Sequence, residues 1–286
     1  MLQYILVEHP YFSATGFLYA VSMALYVATW ISPSKSVARA ATGTMVAAVL
    51  VNGGLFVGMW VQAGRAPLKS LFETAIFLAF NVGLLYLVLE RLYRTRIFGA
   101  VAGLFAVGSI VFALTKWDAE IQKLPAALQS GWFIPHVWVY FVGYAAVAMA
   151  AGISVMQLLA HYSPFVRRLL TIKAGSVLSG EELDLEKIAY DSIKFGFVLL
   201  TLGLLVGSVW AKSAWGDFWV WDPKENWSLV TWLVYGSYLH LRKVKGWRGD
   251  AAAWVAIVGF AVVIFTYVGI GMLPTSEESA HVYSDN

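Results

Sequence analysis

The sequence predicts an all-α integral membrane protein of about eight transmembrane helices, with a tryptophan-rich loop outside the membrane. Two observations carry that expectation. The 286 residues are 59% hydrophobic and only 13% charged, with a mean hydropathy of +0.69; a soluble domain carries about 25% charge. The apolar residues also fall into runs of roughly 17 to 25, enough to cross about 30 Å of hydrocarbon. Lipid offers no partners for backbone N–H and C=O groups, so such runs must be helical.

The runs lie at about 12–32, 40–61, 71–90, 97–115, 137–160, 193–211, 228–241 and 252–273. We treat residues 1–286 as one polytopic domain. A cytoplasmic loop is expected over about 162–190, where Glu181 to Ile188 reads as a short surface helix. Gly203 and Gly207 suggest close helix packing. Glu8, His9 and Pro10 interrupt the start, so no cleavable signal peptide is expected. Glu73 and Glu90 fall near span ends and are expected to reach the interface, and Glu73 can also pair with a loop Lys or Arg. Asn52 and Asn81 read as interhelical hydrogen bonders.

Alternate connections hold unequal shares of Lys and Arg. One set carries 14, among them Lys35, Arg94, Arg167 and Lys245; the other carries 6, Arg65, Lys69, Lys116, Lys123, Lys212 and Lys224. Positive charge favours the cytoplasmic side. The first set is therefore placed inside, and both termini outside.

There is no cysteine. This excludes disulfides, thiolate metal sites and a covalently held C-x-x-C-H heme on this chain. The net charge of +3 gives no sign of nucleic-acid binding.

Between the sixth and seventh runs, in a loop placed at about 212–227, the chain reads Trp215-Gly-Asp-Phe218-Trp219-Val-Trp221-Asp222-Pro223-Lys224-Glu225-Asn-Trp227. Gly216 and Pro223 argue against one continuous helix. Trp219 and Trp221 alternate as on an extended face, and large flat rings so spaced can wall a slot for a flat ligand. Asp222 and Glu225 can orient it through hydrogen bonds to backbone or indole N–H groups, and Lys224 can meet an anionic edge. An interfacial aromatic belt would explain the Trp content alone, but not the intervening Trp-Asp-Pro-Lys-Glu.

The five histidines differ in placement. His136, at the mouth of the fifth run, and His281, in the tail, fall on the loop's side by the charge count. Two neutral imidazoles on opposite faces of a porphyrin are an established way to hold heme iron. His240 lies thirteen residues beyond Trp227, about 20 Å along a helix. His161 reads as interfacial and His9 has no assigned role.

The run Trp215 to Leu229 resembles the WWD signature of the heme-handling proteins of cytochrome c biogenesis, in its CcsA-type (ResC-type) branch. Thr231 to Tyr235 and Tyr238 to Arg242 continue the likeness. Pro67 to Thr74 is similar to that family's Tyr-Glu-Ser segment, with Phe72 and Thr74 as departures. Ser130 to Val137 is similar to its first external histidine segment. Tyr267 to Gly271 and His281 to Ser284 resemble its closing elements, with Ile270-Gly271 and Val282 as departures. The resemblance implies a heme-handling subunit of a cytochrome c synthase. Heme b would be cargo, held by Trp215, Trp219, Trp221, Asp222, Lys224, Glu225 and Trp227, with His136 and His281 as axial ligands. It also implies that His240 is an iron ligand of a second site inside the membrane, opposite a ligand from a CcsB-type (ResB-type) partner. The substrate protein would be apocytochrome c with C-x-x-C-H. Synthase activity would belong to the complex, and no general acid or base is expected on this chain. The expected location is a bacterial plasma membrane, or alternatively a thylakoid. A heme-binding regulator and a transporter unrelated to heme remain alternatives.

Overall fold

The computed structural model describes residues 10–31, 34–116, 124–173 and 184–272. Among these the protein is all helical: α1 (Pro10–Ile31), α2 (Lys35–Ala63), α3 (Leu71–Tyr93), α4 (Gly99–Thr115), α5 (Phe133–Tyr162), α6 (Pro164–Lys173), α7 (Leu185–Trp215), α8 (Pro223–Val244) and α9 (Gly249–Tyr267). Two 3-10 turns, Ala126–Gln129 and Gly269–Met272, complete it. Six helices, α1, α2, α3, α5, α7 and α9, are long and apolar enough to cross a membrane, and α4 is apolar but shorter. The chain is thus a multi-pass membrane protein. α8 has the length of a span, but its 22 residues include Lys224, Glu225, His240, Arg242 and Lys243.

The chain divides into two compact units. In the first, α1 and α3 each lie beside α2 and α4, and α6 lies against α1. α1 and α3 also meet along a seam with a seven-residue step. Phe12 packs edge-on against Phe72 at 5.2 Å. Tyr19 donates its hydroxyl to the Ala79 carbonyl at 3.4 Å. Tyr26 meets Tyr86 edge-on at 5.2 Å. A constant seven-residue step keeps one face of each helix turned to the other.

Several buried polar groups in this unit find partners across helices, as an apolar medium favours. Asn52 is buried, and its amide donates to the Tyr19 hydroxyl at 3.2 Å and the Ile76 carbonyl at 3.3 Å. It is an interhelical bonder, as expected. Asn81 is not: its amide turns back to the Phe77 carbonyl of its own helix at 2.7 Å. Glu73 accepts from Arg65 at 2.9 Å and closes a capping box with Ser70 at the start of α3.

Glu90 departs from expectation. It is buried, and does not reach the interface. Its carboxylate accepts from Tyr26 and Tyr86, both at 2.7 Å, and from Thr42 at 2.6 Å, and pairs with Arg96 at 3.1 Å. Hydroxyls from three helices and a guanidinium just past α3 supply the solvation that water would have given.

Close approach in this unit depends on Gly99, the first residue of α4. A methyl there would lie 2.4 Å from the Tyr26 ring. Gly99→Ala is expected to cost about 1–3 kcal/mol through overpacking. A lowered midpoint in detergent thermal unfolding, with helix content retained, checks this.

The second unit contains most of α5 together with α7, α8 and α9. Bare glycines let α5 and α7 approach. A methyl on Gly196 would meet Val147 at 2.8 Å, and one on Gly203 the Tyr140 ring at 2.8 Å. Tyr235 of α8 packs against Gly259 of α9, where a methyl would lie 2.9 Å from its ring. Trp232 of α8 stacks on Phe197 of α7 at 5.4 Å and donates to Thr201 at 2.9 Å.

The helix ends correct several expected boundaries. α7 begins at Leu185, so the stretch expected as a short surface helix provides the first turns of a long one from that residue on; 181–183 lie outside the described residues. α5 begins at Phe133, which puts His136 in its first turn and not before it. α6 occupies part of the expected 162–190 loop.

Candidate functional site

α7 ends at Trp215 and α8 starts at Pro223, so the irregular part of the tryptophan-rich loop is only 216–222. Lys224, Glu225 and Trp227 belong to a helix. The reason is a local cap. Asp222 accepts from the Lys224 N–H at 2.8 Å, and Asp222 and Glu225 form a reciprocal capping box. Pro223 occupies the first turn, where its missing N–H costs nothing.

The Glu225 carboxylate does more than cap. One oxygen accepts from the Val220 N–H at 2.9 Å and the Asp222 N–H at 3.2 Å. Asp222 and Glu225 are both buried. They hold the loop by its backbone, which is one of the two roles expected for them.

Trp221 carries φ +60. A non-glycine residue in this left-handed region costs about 1–2 kcal/mol. Its carbonyl is held by the Asn226 side-chain amide at 2.8 Å. The turn also changes the expected extended face: the Trp219 and Trp221 rings stand edge to face, 84° apart at 6.0 Å. Trp221 is 69% exposed. The Trp219 indole N–H is buried and has no hydrogen-bond partner among the described residues. Phe218 and Val220 are exposed beside them, so the loop presents a broad apolar surface. Lys212 donates to the Gly216 carbonyl and lies 5.6 Å from the Phe218 ring centroid.

Trp227, on α8, packs edge-on against Phe265 of α9 at 4.4 Å. Thr231 and Thr266 join the same two helices at 3.1 Å. Trp227 thus anchors the loop's far end, whereas Trp219 and Trp221 furnish its surface.

His136 lies at the same end of this unit. Its Nδ1 is 3.0 Å from the Gly203 carbonyl of α7. A carbonyl only accepts, so Nδ1 carries the proton and the lone pair belongs to Nε2. The ring stacks on Trp210 at 5.3 Å and meets the edge of Tyr140 at 4.9 Å. Trp210 in turn touches Trp215 at 4.9 Å. A chain of rings therefore runs from His136 through Trp210 to the first tryptophan of the loop. Sequence reasoning passed over Trp210 because it lies inside the apolar run. Its position five residues before Trp215 was the available signal.

His240 lies on the exposed side of α8. The buried stripe of that helix is Glu225, Thr231, Tyr235, Tyr238 and Arg242. His240 instead shares a face with exposed Val230, Leu233 and Val244. Two residues on, Arg242 pairs with Glu186 at 2.5 Å and lies over the Tyr190 ring at 4.6 Å. Glu186 also accepts from the Gly249 N–H at 2.9 Å, fastening the start of α7, the end of α8 and the start of α9 together. α8 is unbroken from Trp227 to His240, which keeps the expected separation of about 20 Å. His161 is exposed and stacks on Tyr162 at 4.8 Å. His281 and His9 lie outside the described residues.

A model of the family described as "Cytochrome C assembly protein" matches residues 68–276. The chain belongs to that family. Members with similar sequences include the cytochrome c biogenesis protein CcsA of Parasynechococcus marenigrum strain WH8102, 34% identical over 88% of this chain and 89% of that protein. CcsA of Synechococcus elongatus is 33% identical over 84% and 86% of the two chains. CcsA of Synechocystis sp. is 31% identical over 91% and 93%. Among solved structures, the cytochrome c heme lyase CcmF superposes with a TM-score of 0.65 over 92% of this chain at 14% identity. The match spans 46% of CcmF, so the likeness concerns the fold of about half of that protein. The family model covers the loop, His136 and His240, and ends before His281.

Proposed function

We propose that this chain is a heme-handling subunit of a cytochrome c synthase, presenting heme b at the outer face of the membrane to apocytochrome c. The observation that carries the reading is His136. Its proton is committed to a backbone carbonyl, its Nε2 lone pair is thereby suited to iron, and it lies at the same end of the helices as the aromatic loop. Metal-bound histidines commonly donate their second nitrogen in this way, which fixes the ring and raises its basicity.

In this reading Trp219 and Trp221 lie along the porphyrin, and the unpartnered Trp219 N–H is available to an acceptor on the cargo. Trp215 and Trp227 bound the surface, and Lys224 approaches a propionate, which would favour its charged form. Asp222 and Glu225 act through the loop backbone. His281 supplies the second axial ligand. Each cysteine thiol of the apocytochrome adds across a heme vinyl group. One C–S bond forms, the thiol proton ends on the vinyl carbon, and no electrons are transferred overall. The protein contributes position and environment to a reaction between cargo and substrate.

His240 fits an inner heme site shared with a CcsB-type partner, because it faces away from its own bundle. In this proposal all eight long helices cross a bacterial plasma membrane, with the loop and both termini outside. A thylakoid membrane would serve the same chemistry.

The test is spectroscopic. The full chain, co-purified with a CcsB-type protein from heme-replete cells, is expected to show low-spin bis-histidine heme. His136→Ala and His281→Ala should each lower the heme retained and change its axial ligation. Unaltered heme content and spectrum in both variants would sink the ligand assignment. Normal holocytochrome c in a deletion strain would favour a regulator instead.

A further inference from the structure

We propose that Gly207 and the Gly203 carbonyl are positioning elements for His136, setting the place and the tautomer of the imidazole that takes the iron. The inference rests on the heme reading above and extends it to α7, where no ligand was expected. Three surfaces confine the ring. Trp210 stacks on one face, with planes 30° apart. Tyr140, one turn along α5, meets it edge-on. Gly207 forms the third: a methyl there would lie 2.6 Å from Cε1 and 2.7 Å from Nδ1 of His136. Those distances are far inside van der Waals contact, and the atoms belong to a ring already held on two other sides. Any side chain at 207 must therefore displace the imidazole.

One turn earlier, Gly203 gives Tyr140 the room to stand beside that ring. Its carbonyl has two lone pairs, so it can stay in the helical ladder and still accept Nδ1–H. Two glycines within one turn cost a helix roughly 1 kcal/mol each relative to alanine. Here they bring the α7 backbone to the imidazole, which a side chain at either position would prevent. The bare stripe is thus a seat for a ligand as well as a packing device.

Packing and positioning can be separated because the same helix pair has a second tight glycine away from the histidine. A methyl on Gly196 would meet Val147 at 2.8 Å, a comparable clash that touches no part of His136. The experiment compares Gly207→Ala, Gly196→Ala and His136→Gly in the full chain co-expressed with a CcsB-type protein. Heme content, absorption and low-temperature EPR spectra are recorded beside thermal unfolding. Gly207→Ala is expected to lower low-spin heme by about 10-fold or more, the range seen when a ligand's supporting contact is lost. Gly196→Ala should lower the unfolding midpoint but keep the low-spin signature. His136→Gly should lose that signature and regain it with free imidazole. If His136→Gly behaves so but Gly207→Ala keeps wild-type ligation, the positioning role is overturned and the heme reading stands. Equal loss of ligation in the two glycine variants overturns it as well, by reducing Gly207 to packing. If His136→Gly itself leaves the spectrum unchanged, the heme reading fails.

Discussion

Glu225→Ala is expected to abolish most cytochrome c assembly while leaving the bundle folded. A single oxygen of this carboxylate accepts the N–H groups of Val220 and Asp222, and the residue closes the cap of α8. Its loss orphans two donors in a half-buried turn, at about 1–3 kcal/mol. That sum is small for a membrane bundle but large for a seven-residue loop. Trp221 is kept at φ +60 only while its neighbours are tied down. Once released, it relaxes and carries Trp219 with it. We expect holocytochrome c yield in a complementation assay to fall by an order of magnitude or more, since a misplacement of about 1 Å can cost 100-fold in a positioned reaction. Glu225→Gln keeps a carbonyl oxygen at the same place and should retain most of the yield. An alanine variant with unaltered yield and tryptophan fluorescence would show that the loop is held by something else.

The largest expected effect on stability belongs to Glu90→Ala. Three hydroxyls and the Arg96 guanidinium converge on this carboxylate, which is 7% exposed. Removing it leaves the half-buried Arg96 cation without its counter-charge and three hydroxyls without this acceptor. Breaking one side of such a pair costs about 3–5 kcal/mol. Detergent thermal unfolding should show a lowered midpoint or little folded protein. Part of the loss should return in the Glu90→Ala/Arg96→Ala double variant, because the stranded charge is then removed as well. If the single and double variants unfold alike, the ion pair contributes nothing and the hydroxyl network alone sets the cost.

The candidate site was partly legible because its signals are local. Gly216 and Pro223 mark a break in the helix, and the structure has one there, though the Asp222/Glu225 cap starts α8 at Pro223, earlier than the expected run at 228. The pairing of Glu73 with a loop cation was readable for the same reason, Arg65 being eight residues away. Glu90 was misplaced because its partners Tyr26 and Thr42 come from helices 64 and 48 residues distant. A charge near the end of an apolar run is ordinarily interfacial. Only the packing of α1, α2 and α3 provides the hydroxyls that let this one stay inside. Asn81 failed in the other direction, since its own Phe77 carbonyl was the nearest acceptor.

Family and the all-helical membrane class needed only the sequence. Long apolar runs have a single backbone solution in lipid, and the tryptophan-rich signature is contiguous, so neither depends on knowing which helices touch. The tertiary structure alone decided how His136 is held. The Gly203 carbonyl that accepts from its Nδ1–H lies 67 residues away, and Gly207 and Trp210 complete the seat from the same helix. No local pattern encodes a contact between two helices whose register is set by side-chain volume. That register is what turns a histidine in the first turn of α5 into one with a fixed ring, a fixed tautomer and a lone pair on Nε2.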